Sequence, residues 1–506
     1  MTIDSSDAHA CLVCLESEST NSSPLLQTGC GCRGSAGWVH AQCAVAAAAA
    51  QQERTGSWGG GGKHPWQLCA TCRVPYTGPL KLALARAWCA RTVDLPANAA
   101  ERFAARTTLG NALSMSGQLA EAEQVVRGNI ETAALVHGPE HRFTLGTRMN
   151  LGILLGQIGK AHESERVFAE LIAVQRRVLG DEHQDTLATT LQLAAATLAL
   201  GKNAAAEGQL RDALAILRRV LGNEHQNTLV CEMNLGNSLV NQAKFAEAER
   251  IYRANLEHKR RKLGPEHVDT LMVAMNLAAM HREAGAFGAA EEILVSNLEA
   301  KRRVMGAKHT DTCCAALNLA AVWAESGQAA RYEEAAQLAT ETVETLRGEL
   351  GADHPTSLWA LMQQGVVLQA RAGPKDGVEA AANFHRARRG LQTALGEEHP
   401  DALEGAWRMG EALMLLDGDD RDDERLPARD GDDSRQLLET TAEVQARVLG
   451  PTHPRTLRTL LSLAEAGALD VEQALVTVVP GLEATLEAGH PAVVRARKLA
   501  GTPAGA

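Results

Sequence analysis

The sequence predicts a mainly α-helical protein: a small metal-stapled module followed by an α-solenoid. Three observations carry this expectation. Between residues 11 and 72, seven cysteines and one histidine fall into four close pairs. From about residue 102 a Gly-x-x-His step returns at a nearly fixed period. Aromatic residues make up only 3% of the 506, while alanine and leucine abound, as stacked helices require.

The pairs are Cys11-x2-Cys14, Cys30-x-Cys32, His40-x2-Cys43 and Cys69-x2-Cys72. Eight soft or borderline ligands suit two tetrahedral zinc ions, and a close pair lets a short chain offer two donors to one ion. A disulfide framework fits less well, because the cysteines come as Cys-x-x-Cys pairs with a partnering histidine and no signal peptide precedes them. The segment is glycine-rich around Gly59 to Gly62 and poor in large aliphatics. Metal binding therefore has to supply much of its folding free energy, about 10 kcal/mol or more per site in small zinc modules.

Two kinds of zinc module share the ligand order of four cysteines, one histidine and three cysteines: the PHD finger and the RING-CH, or RING-variant, finger. One residue separates Cys30 from Cys32 and seven separate Cys32 from His40. With Cys32-Arg33-Gly34-Ser35, Trp38-Val39-His40, and Tyr76 after the last pair, residues 9 to 80 resemble the RING-CH finger. The resemblance implies a cross-brace. Cys11, Cys14, His40 and Cys43 would hold one zinc, and Cys30, Cys32, Cys69 and Cys72 the other. It also implies ubiquitin ligation without a covalent intermediate on this chain, so no catalytic nucleophile is expected. Partners would be a charged ubiquitin-conjugating enzyme and ubiquitin, met by Leu12 and Val13 in the first zinc loop and by Arg73 after the last ligand. Two positions depart from the family. Alanines fill Ala44 to Ala50, Val45 apart, where the family carries Leu and then Trp, and Ala70 replaces the common proline. Alanine favours a helix after His40.

A net charge of −11 excludes a general nucleic-acid binder. The longest wholly apolar run, Ala44 to Ala50, falls far short of the roughly 20 residues a membrane helix needs. No myristoylation glycine follows Met1. A protein with no membrane association and with reduced thiols is expected, cytoplasmic or nuclear.

The recurring histidines are His141, His183, His225, His267, His309, His354, His399 and His453. The first five stand 42 residues apart, the next two intervals are 45, and the last is 54. A period of this length signals a solenoid. Within one period, Thr228-Leu229, Met233, Leu235 and Leu239 mark a first helix, and Phe245 to Leu256 begins a second. The second helix ends in cations and then Leu263-Gly264, suited to the helix dipole and the C′ position. Asp185, Asn227, Asp269 and Asp311 read as N-caps. The pattern resembles the longer-period tetratricopeptide repeat of kinesin light chain, with about eight copies after a divergent first one at 102–137. Successive histidines lie about one pair of helical layers apart, too far to share a metal. They are read as structural, and the Arg/Lys clusters, Lys301-Arg302-Arg303 among them, as solvated helix ends.

Nine residues after the histidines stand Asn150, Asn234, Asn276 and Asn318, with Gln192 and Gln363 in other copies. Such amides either grip a peptide in the concave groove or bond between helices inside the stack. The domain plan is then a disordered 1–8, a zinc finger at 9–80, a linking helix at 81–101 and a solenoid at 102–499. An acidic insertion interrupts the solenoid at 417–434, and a disordered tail follows at 500–506. The functional expectation is a RING-CH-type ubiquitin ligase whose array binds a protein substrate or adaptor. The rival is a non-enzymatic zinc scaffold.

Overall fold

In the computed structural model, described over residues 10–17, 24–28, 32, 37–55, 65–96, 99–116, 118–158, 160–373, 375–416, 426 and 434–501, the chain opens on a Cys-x-x-Cys knuckle held by its own backbone. Cys30, Arg33 to Ser35, Gly59 to Gly62, residues 1–8 and 502–506, and nearly all of the acidic insertion lie outside the described residues. Two compact units result, Met1–Ile158 with Arg166–Val178, and Gly159–Glu165 with Leu179–Ala506.

In the first unit, β1 (Leu25–Gln27) pairs antiparallel with β2 (Trp38–His40), setting Leu26 against Val39. Helix α1 (Ala41–Thr55) follows directly, and α2 (Gly78–Arg91) packs against it. The alanine run is consumed here. Ala44 and Ala48, one turn apart, are buried in a core with Trp66, Leu80, Leu84 and Trp88. Small side chains let the two helices approach, and the large apolar bodies come from α2 and from Trp66 instead. The Trp66 and Trp88 rings stack in parallel with centroids 6.5 Å apart. Their indole N–H groups donate to Gln52 Oε1 (2.6 Å) and Glu101 Oε1 (3.0 Å), and Gln52 in turn donates to Glu101. Helix α2 is thus part of the module's core. Its Ala85 belongs to the neighbouring cluster with Leu109 and Leu113 of α3 (Ala100–Met115).

Helical hairpins continue from there: α3 with α4 (Leu119–His137), then α5 (Arg142–Ile158) and α6 (Ala161–Leu179). The second unit holds α7 (Gln184–Ala199) with α8 (Asn203–Leu221), α9 (Gln226–Val240) with α10 (Phe245–Leu263), α11 (Val268–Ala284) with α12 (Phe287–Met305), and α13 (Thr310–Glu325) with α14 (Tyr332–Leu350). It goes on through α15 (Pro355–Arg371) with α16 (Asp376–Leu395), α17 (Pro400–Met414) with α18 (Ser434–Val448), α19 (Pro454–Glu465) with α20 (Val471–Glu483), and α21 (Pro491–Leu499). No helix among the described residues is long and apolar enough to cross a membrane.

The Gly-x-x-His step is a self-contained turn. Its glycine takes φ between +87° and +108° in each of the eight copies, a region closed to other residues. The histidine, not the acidic or amide residue two places on, is the N-cap: His183 Nδ1 accepts from Asp185 N–H at 3.1 Å, and His225, His267, His309, His354, His399 and His453 repeat the contact. In four copies the threonine that follows closes the loop, Thr144, Thr228, Thr270 and Thr456 donating to the carbonyl of the step's glycine, as Thr228 Oγ1 does to Gly222 O at 2.8 Å. A further capping histidine, His490, opens α21 outside the Gly-x-x-His spacing.

Two packing rules recur. Eleven residues after the histidine a small residue faces the second helix of the pair. In three of the four copies where it is glycine the facing residue is aromatic, Gly152 with Phe168, Gly236 with Tyr252 and Gly365 with Phe384, while Gly410 faces Leu438; a Cβ at Gly236 would stand 2.5 Å from the Tyr252 ring. Ala194 and Ala278 take the glycine's place in copies whose second helix carries Leu210 and Leu294. The cation clusters at second-helix ends bridge repeats: Arg177 pairs with Glu140 (2.6 Å) and Arg219 with Glu182 (2.7 Å). Lys301 departs from the reading as a solvated end. It is 1% exposed, with Nζ on Asp311 O (3.2 Å), and Lys259 is buried at the equivalent place.

The second unit also closes on itself. His399 Nε2 meets Ala199 O at 2.5 Å, His453 Nε2 meets Asn241 O at 2.9 Å, and Glu487 N–H donates to Ala284 O at 2.9 Å. The starts of α17, α19 and α21 are thereby seated on the turns that end α7, α9 and α11. Because Nδ1 accepts from the cap, the neutral ring carries its proton on Nε2 and donates there. Burial holds His453 and His490 down at about 4, so they are neutral at pH 7.

Candidate metal centre

The two Cys-x-x-Cys knuckles of the first unit are built alike. Leu15 N–H donates to Cys11 O (2.9 Å) and Cys11 N–H to Glu16 O (2.8 Å), while Arg73 N–H donates to Cys69 O and Cys69 N–H to Val74 O, both at 3.0 Å. The residue after each second cysteine turns left-handed, Leu15 at φ +65° and Arg73 at +63°. Such a tight turn aims both cysteines of a knuckle to one side. Strand β2 carries the third element: Leu12 N–H donates to Trp38 O (2.9 Å), and His40 N–H donates to Cys11 Sγ (3.3 Å).

The donor atoms of Cys11, Cys14, His40 and Cys43 all lie within 4.8 Å of one another, as do those of Cys32, Cys69 and Cys72. Cys14 Sγ is 3.2 Å from His40 Nδ1, and Cys32 Sγ is 3.8 Å from Cys69 Sγ. Tetrahedral zinc, with Zn–S of about 2.3 Å and Zn–N of about 2.0 Å, needs donor separations of about 3.5–3.8 Å. The distances fit a shared ion and exclude a disulfide, whose S–S bond is about 2.05 Å. The eighth sequence-predicted ligand, Cys30, lies outside the described residues.

Electrostatics within the first cluster point the same way. Burial works to raise the Cys11 thiol, but the backbone N–H groups of Cys14, His40 and Val13 outweigh it and bring it to about 6. Burial, and then the neighbouring Cys14 and Cys11 sulfurs, push Cys43 up to about 12. Adjacent thiolates cannot all ionise without a cation among them, and a zinc ion held by these four residues would supply that charge and tie the knuckle to β2.

Around the cluster, Leu12 and Val13 are 42% and 50% exposed, and Arg73 is exposed. Leu15 and Val74, just beyond the two knuckles, are exposed aliphatics as well. Among the amides, Asn150 sits on α5 of the first unit, while Asn234 and Asn276 flank one cavity of the second and Asn276, Asn318 and Gln363 another. The repeated amides fixed inside the stack belong to second helices: Asn255 and Asn297 donate to Leu229 O and Leu271 O, each at 2.7 Å.

The RING-variant domain family matches residues 11–56. Tetratricopeptide repeat families match residues 103–142 and, in overlapping segments, 143–219, 187–252 and 224–296. Among solved structures, the chain is similar to the nearly identical TPR-like repeats of a Podosopora anserina protein described as a kinesin light chain, at 23% identity and a TM-score of 0.36, over 40% of this chain and 95% of that one. It is also similar to BtubC (BKLC) from P. vanneervenii, at 18% identity and a TM-score of 0.37, over 44% and 91% of the two chains. No curated protein matches. The chain thus carries a RING-variant domain at its N-terminal end, followed by an array of tetratricopeptide repeats.

Proposed function

We propose that the chain is a RING-variant ubiquitin ligase: a finger over 9–80, holding two structural zincs, recruits a charged conjugating enzyme, and the array from 102 to 499 carries the substrate or adaptor. The observation that supports this best is the first knuckle. Leu12 and Val13 are half-exposed on a loop whose backbone is pinned on both sides, so an apolar contact is presented without being needed for the core. Arg73 is held at the outer edge of the second knuckle, where a cation can clamp ubiquitin onto its carrier enzyme. The activity is positional. An incoming amine attacks the thioester on the conjugating enzyme, and no group of this chain takes the acyl. A reducing compartment, the cytoplasm or nucleus, suits the reduced thiols that zinc binding needs.

The zinc-scaffold reading draws on one feature. Ala44 and Ala48 face Trp66 and α2, so α1 offers outward little of the apolar bulk that the family uses there. A discharge assay separates the two. Conjugating enzymes charged with ubiquitin are mixed with free lysine and the full chain, and faster loss of thioester with at least one of a broad panel is expected. No acceleration with any of them would leave the scaffold.

A further inference from the structure

We infer that the closed second unit contains a site for one small amphoteric molecule, bearing a carboxylate, N–H donors and an apolar arm, of amino-acid to dipeptide size. The inference concerns the array alone and stands whether or not the finger ligates ubiquitin. Seating α17, α19 and α21 on the earlier repeats forms a partly open cavity of about 380 Å³ between them and α11, α13 and α15. That volume is within the roughly 300–1,000 Å³ of small-ligand pockets. It equals the liquid volume of about a dozen waters, far more than a structural water site needs.

Its polar groups fall into two sets. One set is satisfied within the protein. Glu325 accepts from Arg282 Nε (2.7 Å) and Nη2 (3.0 Å) and from Arg408 Nη2 (3.0 Å), and Glu411 accepts from Arg495 at 2.8 Å. The other set is not. Arg455 and Arg458 approach carboxylates only at 3.7–3.8 Å, beyond hydrogen bonding. Arg458 Nε, Glu404 Oε2 and Gln363 Oε1 are buried without a partner, and Gln363 is 5% exposed. An unsatisfied buried polar group costs about 1–3 kcal/mol, so three lining one cavity call for a common partner.

The pattern of orphans selects the ligand. Two guanidinium forks with spare donors match a carboxylate. Glu404 Oε2 and Gln363 Oε1 are spare acceptors and call for N–H groups. Arginines and carboxylates balance around the wall, so a molecule of net zero charge enters without leaving charge uncompensated. Trp359, Met275 and Phe287 provide an apolar side for the arm. Trp407 fixes the fork from beneath: Arg458 lies over its ring at 5.0 Å, and its indole donates to Ser462 Oγ at 3.1 Å. A row of amides gripping an extended peptide fits less well, since Asn276 is bonded to Asn237 (3.2 Å) and Asn318 to Arg282 (3.5 Å).

The test uses the full chain with four probe pools: the twenty free L-amino acids, free-terminus dipeptides, the same dipeptides amidated at the C-terminus, and free-terminus decapeptides. Native mass spectrometry reads the adduct, and titration reads the affinity. One adduct per chain from the first or second pool is expected, weakened at least tenfold by amidation and by Arg458→Gln or Arg455→Gln. Binding by none of the pools, equal binding of amidated dipeptides, or tighter binding of decapeptides overturns the proposal. If Arg458→Gln lowers the melting temperature, the amidation arm on the unaltered chain decides alone.

Discussion

Replacing Gly236 by alanine tests whether the repeats obey a pairwise size rule. A Cβ there would lie 2.5 Å from Tyr252 Cε1 and 2.7 Å from Cζ. The ring cannot swing aside, because Tyr252 is 1% exposed and its hydroxyl donates to Asn237 Oδ1 at 2.6 Å. Overpacking of this kind costs about 1–3 kcal/mol, and so close an approach to ring carbons sits at the upper end. Alanine returns about 1 kcal/mol through helix propensity, leaving a net loss of about 2 kcal/mol. In a Tyr252→Leu background the clash is gone and only the propensity gain remains. The same substitution then stabilises by about 1 kcal/mol, a coupling of about 3 kcal/mol across the cycle. Ala194 with Leu210 and Ala278 with Leu294 are that double mutant already present in this chain. Urea denaturation of the four proteins, followed by far-ultraviolet circular dichroism, measures the cycle. Equal destabilisation by alanine in both backgrounds would refute the size rule.

Elemental analysis of the purified chain should give two zincs, and Cys14→Ser should lose one of them; because α2 serves both cores, the same change should also loosen α3 in hydrogen exchange, and an unchanged exchange rate there would count against the shared core. Val13→Ala and Arg73→Ala should each keep both zincs yet slow ubiquitin discharge about 5- to 30-fold, the range of losing a contact of about 1–2 kcal/mol. Glu325→Gln strips a carboxylate, 19% exposed, from Arg282 and Arg408 and should cost about 2–3 kcal/mol at pH 7, below the range for a fully buried pair. Despite the opposing effect of burial, Arg282 and Arg408 hold this carboxyl down at about 2. The stability it contributes is therefore full above about 4.5 and lost as pH falls through about 2, so the gap between wild type and variant should close over that window; a gap constant across it would assign the loss to packing.

How far the sequence could be read depended on whether a residue's role was local. A zinc knuckle can be read locally because it is a property of five or six consecutive residues; the donor atoms of seven candidate ligands gather in two groups, and Cys30 lies outside the described residues. The solenoid was legible from its period. The cap was misassigned by two residues, since Asp and Asn are the commoner caps and histidine competes with them only when its Nδ1 faces the helix start. The His-Pro pairs at His354, His399, His453 and His490 were the available sign, proline being suited to the position just after a cap. Lys301 read as surface charge because nothing local says that it is buried, as Lys259 is at the equivalent place. The contacts of His399 and His453, 200 and 212 residues distant, have no signature in any window.

Those distant contacts also bear on how such a chain can change over evolutionary time. An open solenoid lengthens easily, because duplicating a repeat adds one more copy of an interface that already exists. Here the histidines at the starts of α17 and α19 must arrive in phase with carbonyls at the ends of α7 and α9. A repeat gained or lost between α9 and α17 would bring the wrong turns face to face and leave a stretch of inner wall without its cover. Closure thus turns the number of intervening repeats into a counted quantity, much as strand number is counted in a barrel. Variation has to be accommodated elsewhere: before α7, or within a single copy, as in the 54-residue interval from His399 to His453.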